Sequence, residues 1–269
     1  IQCVKVSPMK IIVLVKQVPN TTEIKVDPIK GTLIRDGVDS IINPDDRASV
    51  ECALMIKDKY PETHVRVLTM GPKQAVGMLQ ELYGMGVDEC SLINDPIFAG
   101  ADTWATSLTL SKAIALYEYD LILAGRQAID GDTAQVGPQV AEWLDLPQVT
   151  YVSRIQEVTE KNITVVKSYE DMEEVCRVAY PCLITTLSDQ IKPRLGNFSL
   201  VWESNQREIP ILTSVELKAE AKDVGLKGSL TQVKKTFVKS VNKKGQMIKD
   251  DIELAAKTIA DIIHQNNHA

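Results

Sequence analysis

Four stretches of the chain are nearly unbroken apolar runs, Lys10 to Gln17, His64 to Met70, Glu89 to Ile93 and Asp120 to Gly125. Their lack of alternation predicts strands covered on both faces, as in a parallel sheet. The segments between them carry helical spacing. Asn43 to Asp46 opens one helix, with acids in its first turn and Ala48, Cys52 and Ile56 on one face. Gly71 and Pro72 introduce a second, with the proline in its first turn, Ala75, Met78, Leu79 and Leu82 along it, and Gly84 and Gly86 at its end. Ala101 to Tyr119 reads as a long third helix. Gly137, Val140, Ala141 and Leu144 fall at i, i+3, i+4 and i+7 and predict a fourth. Strand and helix alternating in this way imply an α/β fold: a doubly wound, mainly parallel sheet with helices on both faces and ligands beyond the carboxyl ends of the strands. Glu23 to Ile42, broken by Asp27, Pro28, Gly31, Asp36 and Gly37, reads as a hairpin excursion from that plan.

The pattern changes after Pro147. Gln148 to Val158, Ile163 to Tyr169, Glu174 to Tyr180 and Cys182 to Thr186 are short Val-, Thr- and Ile-rich runs separated by polar turns, an antiparallel extension of the sheet. Ser188 to Pro210 has no period and offers Phe198, Leu200 and Trp202, either as a partner surface or as side chains that pack back on their own domain. Beyond it lies a C-terminal arm: a polar stretch from Val215 to Leu226, a strand-like basic run from Leu230 to Val241, and a helix from Asp250 to Gln265. That helix carries a stripe of Ile252, Ala255, Ala256, Ile259 and Ile263, which returns to its own core or, the favoured reading, docks on another subunit. Lys234, Lys235, Lys239, Lys243 and Lys244 read as a solvated face. The chain thus divides into an extraneous segment at 1–8, an α/β domain at 9–210 with a candidate recognition loop at about 188–210, and an arm at 211–269.

Composition supports this plan and narrows the chemistry. The 269 residues are 44% hydrophobic and only 5% aromatic, which suits an α/β protein. A net charge of −6 speaks against a nucleic-acid surface. Cys3, Cys52, Cys90, Cys176 and Cys182 form no CxxC pair, and with only His64, His264 and His268 available a metal site is not expected. There is no signal peptide and no apolar run of about eighteen residues, so no membrane anchor is expected and the cytoplasm is the simplest location.

Candidate chemistry gathers at the strand ends: Lys16 to Asn20, Met70 to Pro72 and Gly125 to Gln135, joined by the helix start at Asn43 to Asp46. Between strand and helix, the Asp130 and Gly131 turn leads to Asp132 and Thr133, either of which can cap the helix. Small residues there leave backbone N–H groups facing a ligand, which is a phosphate seat. The turn matches neither the dinucleotide fingerprint nor the P-loop, and by itself it favours an ordinary connection over a nucleotide site.

The stretch from Gly125 to Thr150, GRQAIDGDTAQVGPQVAEWLDLPQVT, resembles the nucleotide segment of the electron transfer flavoprotein beta subunit, and from Met9 onward almost the whole chain follows. IIVLVKQVPN, INPDD, TMGP and VKSYEDMEEVCRVAYPCLITT carry the rest of the resemblance, with Met172 standing where the family usually has an acidic residue or glycine. The resemblance implies a heterodimer whose alpha subunit carries FAD and exchanges electrons with a flavin-dependent dehydrogenase. It further implies a second adenine nucleotide in this chain, with Asp130, Gly131, Asp132, Thr133, Ala134, Gln135, Val136 and Gly137 around the phosphates. Leu14, Lys16, Asn43, Asp46, Met70, Gly71 and Gly125 would frame the adenosine. DGDTAQVGP resembles the electron-bifurcating branch, where the nucleotide is FAD, NADH is the hydride donor and ferredoxin and the alpha-subunit flavin are the acceptors. The alternative is the housekeeping branch, with structural AMP. No catalytic residue of the chain's own is implied, and activity would require the complex; an independent nucleotide hydrolase would have only Asp130 and Asp132 to work with. The family's partner loop follows a Pro–Arg pair with a leucine anchor and a basic continuation. Here Pro193 and Arg194 are followed by LGNFSLVWESNQREIP, with Phe198 near the anchor position and the basic continuation largely missing. That departure points to a hydroxy-acid or specialised enoyl-CoA enzyme as partner.

Overall fold

A computed structural model of the protein describes residues 8–20, 25–26, 33–34, 39–232 and 251–266. The four apolar runs become strands β1 (Lys10–Leu14), β6 (His64–Met70), β7 (Glu89–Ile93) and β8 (Leu121–Gly125). β1 lies between β6 and β8 and is parallel to both. Its residues divide between two cores: Ile11 and Val13 face one side, Ile12 and Leu14 the other. Helices α1 (Pro44–Lys59) and α2 (Val76–Met85) cover the first side, while α3 (Thr103–Ile114) and α4 (Val136–Trp143) cover the second. This is the doubly wound arrangement that the alternation of elements predicts. Each fully buried Leu or Ile in it contributes roughly 1.5–3 kcal/mol relative to exposure.

The full sheet has nine strands, and its outer parts depart from the expected plan. β9 (Gln148–Val158), β10 (Asn162–Ser168) and β11 (Glu173–Ala179) form the antiparallel extension. β12 (Cys182–Thr186) does not belong to it: it runs parallel between β8 and β9, and all five of its residues are buried. A five-residue run is too short for alternation to separate a meander strand from a central parallel one. At the other edge, β13 (Ile211–Leu212) pairs with β7, and Leu217 and Val224 are buried in the second core, so the chain stays on the body past Pro210.

Several boundaries move for local reasons. β1 stops at Leu14, because the chain turns out to form β2 (Gln17–Pro19), which pairs with β5 (Ser40–Ile42). β3 (Lys25–Val26) and β4 (Leu33–Ile34) pair as expected of an excursion. Pro72 precedes a 3₁₀ turn at Lys73–Ala75 rather than opening α2. Gly86, at φ +114°, ends α2, whereas Gly84 lies inside it. α3 starts at an Asp102 cap, whose carboxylate accepts from Ala105 N–H at 3.0 Å, and ends at Ile114, short of Tyr119.

The stretch after Ser188 is not irregular throughout, since Phe198–Ser204 is helix α5, packed on α2. A short helix α6 (Gly225–Gly228) follows β13, and α7 (Ile252–Asn266) carries the last described residues. In α7, Ile252, Leu254, Ile259 and Ile263 are exposed, so its apolar stripe does not pack on the body. The basic run from Val233 on, including Lys234, Lys235, Lys239, Lys243 and Lys244, lies outside the described residues, as do Cys3 and His268. Cys52, Cys90, Cys176 and Cys182 are free thiols. Among the described residues no helix is long and apolar enough to cross a membrane.

Gly84 makes a testable case against helix propensity. Glycine inside a helix ordinarily costs about 1 kcal/mol relative to alanine. A Cβ at Gly84 would come within 2.5 Å of Val201 Cγ2 on α5, a stiff β-branched side chain with little room to give. Gly84→Ala is therefore expected to destabilise the protein and to loosen α5, read as a lower urea midpoint and faster amide exchange at Phe198–Ser204.

Candidate functional site

The chain leaves β1 for β6 on one side and returns to β8 on the other, which creates a switch point beyond the carboxyl ends of β1 and β8. Open α/β sheets bind ligands there. A cavity of about 690 Å³ opens at this place. Leu14, Leu68, Ile93, Phe98 and Leu110 supply its apolar lining, and the loop from Arg126 to Gly137 borders it with small and polar residues.

One side chain holds the switch point together. Asp46 Oδ2 accepts the N–H of Lys16 at 2.8 Å, just past β1, and its Oδ1 accepts the N–H of Gly125 at 3.0 Å, at the end of β8. Gly125 has to be glycine for this to happen, since a Cβ there would lie 2.2 Å from Asp46 Oδ1. Burial raises the Asp46 carboxyl pKa to about 7, against the opposing pull of donors from Lys16, Asn43 and Gly125. Desolvation wins because two or three hydrogen bonds replace only part of the water a carboxylate gives up.

Asn43 sits at the N-cap of α1 but makes no side-chain cap hydrogen bond. Its amide reaches across to the β8–α4 loop, where Nδ2 donates to Gln127 O at 2.8 Å and Oδ1 accepts Ile129 N–H at 3.1 Å. The loop then turns on Ala128 O, which accepts the N–H groups of Gly131 and Asp132 at 3.2 and 2.8 Å. The left-handed residues are Asp132 (φ +53°) and Ala134 (φ +52°) rather than Gly131. For alanine this conformation costs about 1–2 kcal/mol, and strain of that kind concentrates where a loop is shaped for a ligand. Neither Asp132 nor Thr133 caps α4: the cap position is Gln135, and Asp132 Oδ1 instead accepts from the Gln127 amide. As first residues of the helix, Val136 and Gly137 have N–H groups without an intrahelical acceptor. Gly137 also lets α4 approach β12, because a Cβ there would meet Thr185 Cγ2 at 2.8 Å.

The residues singled out by resemblance separate into two groups. Leu14, Lys16, Asp46, Met70, Gly71, Gly125, Gly131, Thr133, Ala134, Gln135, Val136 and Gly137 line the cavity. Asn43, Asp130 and Asp132 do not line it; they brace the loop. Asp130 accepts both its hydrogen bonds from Lys16 Nζ, at 2.7 and 2.8 Å. Sequence reasoning missed a whole wall, Ile93 to Thr103, which follows β7 and carries Phe98. The end of a third parallel strand was the available signal. Arg126, inside the candidate stretch Gly125 to Gln135 but given no role there, is a cation one residue past the buried β8, whose Nε stands 3.4 Å from the buried Asp45 Oδ2 without a hydrogen bond.

Of the three loop side chains proposed as partner contacts, Phe198 and Trp202 are exposed, at 83% and 67%. Leu200 is half-buried and turns toward Gly86, its Cδ1 4.0 Å from where a Cβ would be. Leu195, not singled out from the sequence, is 86% exposed beside them.

Comparison with known proteins points to one family. The profile of the Electron transfer flavoprotein domain matches residues 30–217. The electron transfer flavoprotein subunit beta of Clostridium acetobutylicum is 44% identical over 260 residues, covering 97% of this chain and 100% of that protein. The caffeyl-CoA reductase-Etf complex subunit CarD of Acetobacterium woodii is 46% identical over 241 residues, covering 89% of this chain and 92% of its own length. The acryloyl-CoA reductase electron transfer subunit gamma of Anaerotignum propionicum is 41% identical over 268 residues, covering 96% and 99% respectively.

The Asp46 staple carries a pH signature. Its folded pKa of about 7 lies above the unfolded carboxyl value near ~3.9, so its stabilising contribution is full below the unfolded value and is lost as pH rises through the folded one. Asp46→Asn fixes the group neutral but turns one acceptor into a donor facing a backbone N–H, at a cost of about 1–3 kcal/mol. The variant is expected to be less stable than the wild type near pH 5, with the gap closing toward pH 8, as read from urea midpoints across that range.

Proposed function

Because this chain belongs to the electron transfer flavoprotein family, as a beta subunit, we propose that it binds a second FAD at the β1/β8 switch point, accepts hydride from NADH there, and divides the electrons between ferredoxin and the FAD of an alpha subunit. The alpha-subunit flavin then serves a flavin-dependent dehydrogenase. The observation that carries the reading is the cavity itself. At about 690 Å³ it falls in the upper half of the usual range for small-molecule sites, and it joins an apolar lining to a loop of small residues. A dinucleotide uses both parts. The relatives described as subunits of caffeyl-CoA and acryloyl-CoA reductase systems favour an enoyl-CoA-reducing acyl-CoA dehydrogenase as the partner.

The residues fit the cofactor in three respects. Leu14, Leu68, Ile93 and Phe98 offer apolar area for an adenine ring. Free N–H groups at the start of α4, on the positive end of its dipole, receive phosphate oxygens. Lys16 and Arg126 are cations on the lining, which offset the diphosphate charge although each already stands beside a carboxylate. When bound, the flavin supplies the hydride acceptance and the one-electron steps. The chain positions it: Asp46 keeps the two strand ends at a fixed separation, and Asn43 holds the loop against α1. The exposed face of Leu195, Phe198 and Trp202 is where the dehydrogenase docks.

Denaturing the purified heterodimer and separating its nucleotides is expected to release FAD in excess of the alpha subunit's share and no AMP. NADH is expected to bleach the additional flavin. One FAD accompanied by AMP would reduce this chain to a structural and docking subunit. Phe198→Ala is expected to raise the KM of the dehydrogenase for the heterodimer about tenfold, as loss of a buried aromatic anchor does at an interface, while leaving nucleotide content unchanged.

A further inference from the structure

The docking face is built on a stretch that has little core of its own, yet it is tied down at two points. Arg194 is the first. Its backbone N–H donates to Glu51 Oε2 at 2.8 Å, and its Nε donates to both Glu51 oxygens at 3.1 and 3.0 Å. The remaining nitrogens take a second carboxylate: Nη2 donates to Glu51 Oε1 at 2.9 Å and to Asp58 Oδ2 at 2.6 Å, and Nη1 to Asp58 Oδ1 at 3.2 Å. Glu51 and Asp58 lie seven positions apart on α1, two turns along one face. Glu51 is buried and Asp58 exposed, so the guanidinium closes over the helix surface from core to solvent. The second tie is at α2, where Asn197 N–H donates to Gly84 O at 2.8 Å and Val201 presses against the space that a Gly84 side chain would take. Only Leu195 and Gly196 separate the two ties.

We infer that Arg194 is the positioning residue of the docking face: by bridging Glu51 and Asp58 of α1 it presents Leu195, Phe198 and Trp202 to the dehydrogenase in one preformed orientation. The inference rests on the reading that this face meets the dehydrogenase. Leu195, the most exposed of the three, is one peptide bond from the clamped residue. Large apolar side chains held out in water gain nothing from being ordered in the free protein. The ordering is recovered on docking, because backbone and side-chain freedom already given up is not lost a second time. The fork is required for this. Lysine has the charge, but its ammonium lacks the planar fork of donors that pairs in parallel with one carboxylate while holding the second.

The test uses the heterodimer with its alpha subunit and an enoyl-CoA-reducing acyl-CoA dehydrogenase, and compares Arg194→Lys, Asp58→Asn and Phe198→Ala. Arg194→Lys is expected to raise the KM for the heterodimer about tenfold at unchanged kcat, to speed amide exchange at residues 195–204 about tenfold, and to leave nucleotide content unchanged. Asp58→Asn, at an exposed carboxylate, is expected to move both readouts the same way by about threefold. Faster exchange without a change in KM would overturn the inference, since order in the loop would then not matter. A raised KM with unchanged exchange would overturn it too, by making Arg194 a direct contact. If Phe198→Ala raises KM while Arg194→Lys changes nothing, the docking face stands and the clamp falls. If Phe198→Ala leaves KM unchanged, the docking reading falls and the inference with it.

Discussion

A single buried carboxylate spans the gap on which the site depends. Parallel strands that diverge at a switch point leave their last N–H groups unpaired, because no neighbouring strand continues beside them. Asp46 takes one such group from each side, Lys16 N–H beyond β1 and Gly125 N–H at the end of β8. Its position in the first turn of α1 allows one side chain to reach both. The cost is a carboxyl group taken out of water, visible as its raised pKa. What the cost secures is a crevice of fixed width whose floor is apolar and whose rim is backbone.

The start of α1 organises more than this crevice. Asn43 braces the β8–α4 loop, and Asp45 accepts Ser188 N–H through Oδ1 at 3.0 Å and Thr186 Oγ1–H through its carbonyl at 3.2 Å. Ser49 Oγ stands 2.7 Å from Thr186 Oγ1 at the end of β12. Further along the same helix, Glu51 and Asp58 receive Arg194. Polar residues at the start of and along one helix therefore hold the ends of β1, β8 and β12, the β8–α4 loop and the proposed docking stretch. These are hydrogen bonds with defined directions, so α1 cannot slide relative to the sheet without breaking several at once.

The electrostatic character of the site follows that of the chain as a whole. The protein carries a net charge of −6, and Lys16 and Arg126 on the cavity lining each stand beside a carboxylate, while burial pushes the Asp46 pKa up to about 7. Asp95 and Asp102, on the wall that follows β7, add carboxylates with no ion pair among the described residues, so under the proposed function phosphates are received by the backbone N–H groups of the β8–α4 loop rather than by surplus positive charge. The protein's part under the proposed function is position and polarity, which agrees with the small residues that border the cavity from Gly131 to Gly137.

The periodicity of the chain determined most of the framework. β1, β6, β7 and β8 are legible because a strand buried on both faces must be apolar at consecutive positions, and α1 to α4 because a helix with one covered face repeats its apolar residues at helical spacing. The small-residue loop after β8 and the glycine at its head were readable for the same local reason. Tertiary structure decided what local patterns do not encode. Cys182 to Thr186 is apolar whether it runs parallel or antiparallel, and only its neighbours β8 and β9 determine which. Asn43 follows the pattern of a helix cap, but its amide finds Gln127 and Ile129, more than eighty residues away, and gives up the cap for them. The inward turn of Leu200 and the clamp on Arg194 likewise depend on groups distant in sequence. Sequence pattern specifies which residues seek burial or a hydrogen bond; which partner satisfies them is settled by the fold that brings distant segments within about 3 Å.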